Sequence, residues 1–469
     1  MPSPPQSSSP IGSEAELPAH FAAGEKPAAL HRFGVEHEKI PVLAGGVAPG
    51  HEVIEPLLRA VAGARGWQEV READKVIGLS RRDAAGPATV SLEPGGQTEL
   101  SDAPRASARE AEAALRAHLA ELSGPARDLG VRYLALGFRP FGTIDDVPWM
   151  PKGRYRVMRA YLPGRGALAH EMMKRTATVQ VNLDYADQAD CAAKMRAAMG
   201  LSSLVTALFA CSPLVDGRAT DYQSYRAACW LATDEDRCGL LDFAFAPDAP
   251  EALYRRYAEW ALDVPMFFVY RGGEYRPVEG MPFRRFLREG WAGERATAAD
   301  WELHLSTLFP EVRLKRYLEL RAADAGPLEM VLALAALARG LMHDPQALEA
   351  GWQLVAGFSM EERRQLRRDV PRLGMQARVG GQTIAGRCRE LCAIARAGLV
   401  RIGGAEDAPL LDPLERVAQS GRTAADEARD LHRRLGGNPD ALIEALALPL
   451  GLWRAEGGHS VRDRGPPTK

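Results

Sequence analysis

The segment "TVQVNLDY" (178–185) restricts the fold more than any other stretch of this chain. It alternates strictly: Val179, Val181, Leu183 and Tyr185 face one way, and Thr178, Gln180, Asn182 and Asp184 the other. A period of two belongs to a strand, and a wholly polar second face means a sheet covered by a core on one side only. Three more segments repeat this pattern. "RFGVEHEKI" (32–40) reads as a strand that puts Glu36 and Glu38 on one face. "SLEPGGQTELS" (91–101) ends a strand at Glu93, turns through Pro-Gly-Gly and resumes with Glu99, so a tight turn returns Glu99 towards Glu93. "KRYLELRAAD" (315–324) sets Leu318 and Leu320 against Lys315, Tyr317, Glu319 and Arg321.

Long helical patterns separate these strands. Leu and Ala recur at helical spacing over 106–130, a second helix is predicted over 189–213, and 328–400 is largely helical; "VRYLALGF" (131–138) reads as a further strand. Half-solvated strands mixed with long helices predict an α+β enzyme with an open sheet. A single domain is expected over 15–455, with loose polar tails at 1–14 and 456–469. The net charge of −2 argues against nucleic-acid and anionic-membrane partners. No apolar run is long enough to span a bilayer, and the Pro/Ser-rich start lacks the basic and apolar regions of a secretory signal. Cys191, Cys211, Cys229, Cys238, Cys388 and Cys392 have no paired CxxC spacing, so free thiols in a reducing cytoplasm are expected.

Each polar row taken singly is the wet face of a sheet. Together, Glu36, Glu38, Glu93 and Glu99 bring four carboxylates with no lysine among them. Two carboxylates on one strand face repel unless something positive lies between them. An all-oxygen cluster suits Mg²⁺ or Mn²⁺, and magnesium usually keeps waters and takes up substrate phosphates. A nucleotide triphosphate held by metal over the sheet face is the natural reading. No GxxxxGK[ST] cradle is present, and "GRGALA" (164–169) matches GxGxxA without a buried strand before it. Cations stand nearby in "MPKGRYRVMRAYLPGRG" (150–166) and in "SYRAACW" (224–230), where Arg226 precedes Trp230; they suit a bound carboxylate or phosphate, or simply a solvated basic loop.

The blocks "FAAGEKP", "GVEHEKI", "SLEPGGQTELS", "MPKGRYRVMRAYLP", "KRTATVQVNLDY", "WALDVPMFFVYR", "HLSTLFPEVRLKRYLELRAAD" and "LDPLERVAQSGRT" run in this order through nearly the whole chain. In them the chain resembles the glutamate–cysteine ligases of the plant and proteobacterial type. The resemblance implies a glutamine synthetase-like fold, a curved antiparallel β-sheet funnel with helices packed outside. It implies an ADP-forming ligase that joins the γ-carboxylate of glutamate to the amine of cysteine with ATP and Mg²⁺ or Mn²⁺, the first step of glutathione synthesis. It places metal on Glu36, Glu38, Glu93, Glu99 and Glu319, and puts Arg321 with Glu319 at the transferring phosphoryl group. Gln180, Arg313 and Lys315 are implied on the nucleotide and metal side, and Arg154, Arg226, Trp230 and Phe267 on the amino-acid side. The implied partners are small molecules alone, for a monomer or homodimer in the cytoplasm.

Two departures stand out. Phe267 occupies the place of a substrate-contacting tyrosine of the plant members, and "EYRPVEGMPF" (274–283) carries no cysteine for their redox control, so no such switch is expected. The rival readings are a γ-glutamyl ligase for another amine or for ergothioneine synthesis, and a non-catalytic nucleotide- or amino-acid-binding protein on the same scaffold.

Overall fold

The computed structural model describes residues 9–246 and 248–450. Its centre is an antiparallel sheet of nine strands. In chain order these are β1 (Phe33–Val42), β2 (Gln68–Glu72), β3 (Lys75–Asp83), β4 (Gly86–Leu92) and β5 (Thr98–Ser101). β6 (Arg132–Leu134), β7 (Thr178–Leu183), β8 (Val312–Leu314) and β9 (Leu318–Asp324) complete it. Across the sheet the order is β8-β9-β7-β1-β5-β4-β3-β2, and β6 pairs with the distal half of β1.

Both sides of the alternation are buried, so the half-solvated sheet expected from the sequence is not what forms: on the polar side Gln180 is 4% and Glu319 0% exposed. Val35, Val179, Val181, Leu183, Leu100 and Leu318 belong to one core with the helices behind the sheet. Those helices include α1 (His51–Arg65), α2 (Ala108–Asp128), α3 (Gln188–Leu208) and α4 (Leu328–Met342), and α3 lies against β9 while α4 lies against β7. α2 and α3 begin where a side chain satisfies the first backbone donors: Ser107 accepts from Glu110 N–H and Asp187 from Asp190 N–H. This is the expected α+β arrangement, an antiparallel sheet with helices packed on its apolar side.

The register explains the site. Glu38 pairs with Glu99, and Glu99 with Ser91; Glu36 lies between Ser101 and Gln180; Glu319 lies between Asn182 and Arg313. Three neighbouring rows of polar side chains therefore cross six strands. The hairpin at 94–96 needs both glycines. A Cβ on Gly95 would sit 2.0 Å from the Lys174 carbonyl oxygen, and Gly96 has φ +85.

Three boundaries differ from expectation. The strand predicted over 131–138 is a regular strand only at Arg132–Leu134; beyond it Ala135 N–H bonds Leu446 and Gly137 N–H bonds Cys211, and Phe138 makes a lone bridge to Thr176. The helix predicted over 189–213 stops at Leu208, which releases Cys211 and Ser212 to a buried carboxylate on β9. The loose N-terminal tail expected over 1–14 is already anchored at Pro10 and Ile11, which bridge to Thr297 and Ala296, and Glu14 pairs with Arg284 and Arg288. Residues 1–8 of that tail, and all of the one expected over 456–469, lie outside the described residues. No helix among the described residues is long and apolar enough to cross a membrane.

Candidate active site

The polar face of the sheet divides into an acidic half and a cationic half. In the acidic half the Glu36 carboxylate accepts from Asn182 Nδ2 at 2.8 Å and Gln180 Nε2 at 3.0 Å. Glu38 accepts from the Thr178 N–H at 2.9 Å. Glu99 accepts from Ser91 Oγ at 2.9 Å and Ser101 Oγ at 3.3 Å, while Glu93 accepts from Tyr155 Oη at 3.4 Å. Glu36 and Glu99 are buried, whereas Glu38 and Glu93 keep part of their surface open.

Burial, then the charges of Glu319 and Glu99, push the Glu36 carboxyl up to about 8. Burial with Glu93 and Glu99 holds Glu38 well above the usual range, and burial with Glu99 raises Glu93. Glu99 runs the other way: burial would raise it, but hydrogen bonds with Glu36, Ser91 and Glu93 bring it down. Carboxylates this close share protons when no cation separates them. Among the described residues, no three acidic, His or Cys side chains already converge on a point where an ion would sit. The donor set itself, oxygen only and in need of positive charge, fits a hard divalent cation.

The cationic half has the opposite problem and solves it with one acid. Glu319 is fully buried, and Arg313 grips it with Nη2 at 2.6 and 2.7 Å and Nε at 3.1 Å. Lys315 Nζ adds a contact at 3.0 Å, and Arg321 a short one. Burial would raise the Glu319 carboxyl, yet Arg313, Lys315 and Arg321 together hold it well below the usual range. Its oxygens are contacted by all three cations, and this arrangement orients Arg321. Gln180 joins the halves: its amide donates to Glu36 and its oxygen accepts from Arg321 Nη1 at 2.5 Å. The Arg321 guanidinium lies 5.5 Å from the Trp230 ring and 5.7 Å from that of Phe309.

Arg226 and Trp230 stand on α5 (Tyr225–Leu231), which starts at Ser224, whose hydroxyl accepts from the Ala227 N–H. Arg226 Nη2 donates to the Arg321 carbonyl at 2.8 Å, and its charge pulls down on Glu38. With Trp230, Phe309, Glu311, Arg321 and Arg367 it lines a cleft beside the sheet. Arg154 is buried 5.7 Å from the Phe268 ring, near enough for its charge to lower Glu93. Phe267 is placed differently from expectation. It is 2% exposed, the Arg237 guanidinium covers its face at 3.9 Å, and Tyr161 meets it edge-on, so it packs the core behind the expected pocket.

Sequence reasoning missed the groups that hold these side chains. Ser91, Ser101, Thr178 and Tyr155 all donate to the acids, and Asn182 was read only as part of a polar row. Ser91 stands two residues before Glu93 and Ser101 two after Glu99, so same-face spacing was the available signal. Lysines also come closer than the sequence implied. Lys152 Nζ bonds the Leu92 carbonyl at 2.7 Å and offsets Glu93, while Lys39 is buried and bonds the His37 carbonyl. The His37 ring is buried too, on a strand position between the two glutamates, and points away from them as the alternation requires.

Residues 32–445 match Glutamate-cysteine ligase family 2 (GCS2). The chloroplastic glutamate–cysteine ligases of Nicotiana tabacum and Arabidopsis thaliana are each 39% identical over 436 residues, covering 92% of this chain and 82% of theirs. A crystal structure of the glutamate–cysteine ligase of Francisella tularensis in complex with AMP superposes with a TM-score of 0.54 at 12% identity, covering 90% of each chain, a likeness of fold alone. The chain belongs to glutamate-cysteine ligase family 2.

Proposed function

We propose that this chain is an ATP-dependent carboxylate–amine ligase that joins the γ-carboxylate of L-glutamate to the amine of L-cysteine, the first step of glutathione synthesis. The observation that carries the reading is the junction at Gln180, where a cluster of four carboxylates meets Arg321 on one face of the sheet. Phosphoryl transfer needs such a pairing, since charge accumulates on the moving group and must be neutralised from fixed positions. The glutamate γ-carboxylate oxygen attacks the γ-phosphorus of ATP, ADP departs, and a γ-glutamyl phosphate forms. The cysteine nitrogen then attacks the acyl carbon, phosphate leaves, and the nitrogen gives up a proton.

In this reading Arg321, held in place by Glu319 and braced between Trp230 and Phe309, faces the transferring group. Lys315 and Arg313 keep Glu319 ionised, so that Arg321 stays fixed while charge moves past it. Arg226 and Arg154 take the carboxylates of the amino-acid substrate. Glu36, Glu38, Glu93 and Glu99 would hold Mg²⁺ or Mn²⁺. Bound there, the metal would supply positive charge to neutralise the phosphate groups. The six free thiols suit a reducing compartment such as the cytoplasm.

The test is ADP release with glutamate and a panel of amines, in the presence of Mg²⁺. Cysteine is expected to be used with the highest kcat/KM. Equal use of several amines would overturn the substrate while keeping the reaction class, and no glutamate-dependent ADP release at all would overturn the class.

A further inference from the structure

At the end of β9 a buried carboxylate stands outside the acidic row and has four donors aimed at it. Asp324 Oδ2 accepts from the Cys211 N–H at 2.9 Å and from Ser212 Oγ at 2.6 Å. Its Oδ1 accepts from Ser224 Oγ at 2.8 Å and faces Arg226 Nη1 at 3.7 Å. The two serines are themselves acceptors. Ser212 Oγ receives the Arg226 N–H at 3.1 Å, and Ser224 Oγ receives the Ala227 N–H at 3.0 Å. A hydroxyl that accepts from a backbone N–H has its own proton to give, and here both protons go to Asp324. Both oxygens of Asp324 therefore accept, an arrangement that favours the ionised acid against the burial that raises its carboxyl.

The space around it is closed: a Cβ added to Gly137 would lie 2.6 Å from Asp324 Cβ. The network ends at one residue from two directions. Through Ser212 it fixes the backbone of Arg226, and directly it faces the guanidinium, whose other edge donates to the Arg321 carbonyl.

We propose that Asp324 is a positioning residue that sets the Arg226 fork in the cleft at the angle needed for the substrate carboxylate. The proposal rests on the reading of Arg226 as a glutamate-binding residue given above. Asp324 touches no reacting atom, and it is two strand positions beyond the Ala322 carbonyl that accepts from Thr206. Asparagine at 324 is the informative substitution. It keeps the size but turns one acceptor into an NH₂ group facing donors, so the two serines and Arg226 lose their common anchor.

The experiment measures kcat, KM for glutamate, KM for ATP and Tm for Asp324→Asn, Arg226→Ala and the double variant. Asp324→Asn is expected to raise KM for glutamate about tenfold while KM for ATP stays within about twofold. The double variant is expected to bind glutamate no worse than Arg226→Ala alone, because the two changes remove the same interaction. If Asp324→Asn does not fold, Ser212→Ala and Ser224→Ala each break one link and are expected to raise KM for glutamate about threefold, again without moving KM for ATP. Should Arg226→Ala raise KM for glutamate while Asp324→Asn and the serine variants leave it at the wild-type value, the positioning role is overturned and the reading of Arg226 stands. Unchanged KM for glutamate in Arg226→Ala overturns both.

Discussion

Glu36 and Glu319 are the same residue type, lie on the same face of one sheet, and both are buried, yet their surroundings drive them in opposite directions. Glu36 looks across at other acids and is pushed up to about 8; Glu319 looks at Arg313, Lys315 and Arg321 and is held well below the usual range. One half of the face carries surplus negative charge, and the other spends its acid to fix an arginine. The difference teaches that the neighbours set by the fold, and not the residue type or its burial, decide the direction in which a buried carboxyl is driven.

The largest effect comes from breaking the cationic half. Glu319→Gln leaves Arg313 and Lys315 buried without their counter-charge and is expected to cost about 3–5 kcal/mol of stability as well as activity. Urea unfolding checks this; an unchanged midpoint would falsify the structural role of Glu319. The corresponding change in the acidic half should do the reverse. Glu38→Gln is expected to leave the metal-free protein at least as stable as wild type, since it removes like-charge repulsion. Glutamate- and cysteine-dependent ADP release should nonetheless fall by about a hundredfold or more, for want of several kcal/mol of charge neutralisation. Near-normal turnover would remove Glu38 from the metal set.

The third effect is on pH dependence. Glu36 holds its proton more tightly in the folded chain, at about 8, than its ordinary value of 4.5. Its contribution to stability is therefore complete below about 4.5 and is lost as pH rises towards about 8. Glu319 has a depressed carboxyl, so its contribution is present above 4.5 and is lost on acidification through its folded value. With EDTA present, Tm of the wild type is expected to decline from pH 5 to pH 8 more steeply than that of Glu36→Gln. Mg²⁺ should restore the wild type most at pH 8, where the cluster is most negative. Parallel Tm curves for the two proteins would show that the acidic half carries no such surplus.

The smallest effect is expected at Phe267. Its ring is covered by Arg237, so Phe267→Tyr adds a hydroxyl to a packed site and should change KM for glutamate by no more than about fivefold, roughly 1 kcal/mol. A larger gain in glutamate affinity would return Phe267 to the substrate pocket.

Much of the sheet was legible because its strands state their own faces. Alternation in 178–185 and the Glu36/Glu38 spacing give the apolar and polar sides without any knowledge of partners. The Pro-Gly-Gly turn likewise announces that Glu99 returns beside Glu93. Phe267 and Glu319 were harder for one reason: a motif gives the residue and its strand, while the neighbours come from other parts of the chain. Arg237, which covers Phe267, is 30 residues earlier in number. The serines that serve Asp324 both precede α5, Ser212 after the end of α3 and Ser224 at the start of α5, a hundred residues or more away.

By itself, then, the sequence determined the alternation of the strands, the α+β class and the family to which the chain belongs. These follow from local periodicity and from contiguous blocks, which need no folded partner to be read. Only the tertiary structure decided that four glutamates crowd together while the fifth is paired with three cations, and that Arg226 has a buried acid behind it. The charge state of a carboxylate depends on whatever lies within a few ångströms of it, and across an antiparallel sheet those groups are brought together by register alone.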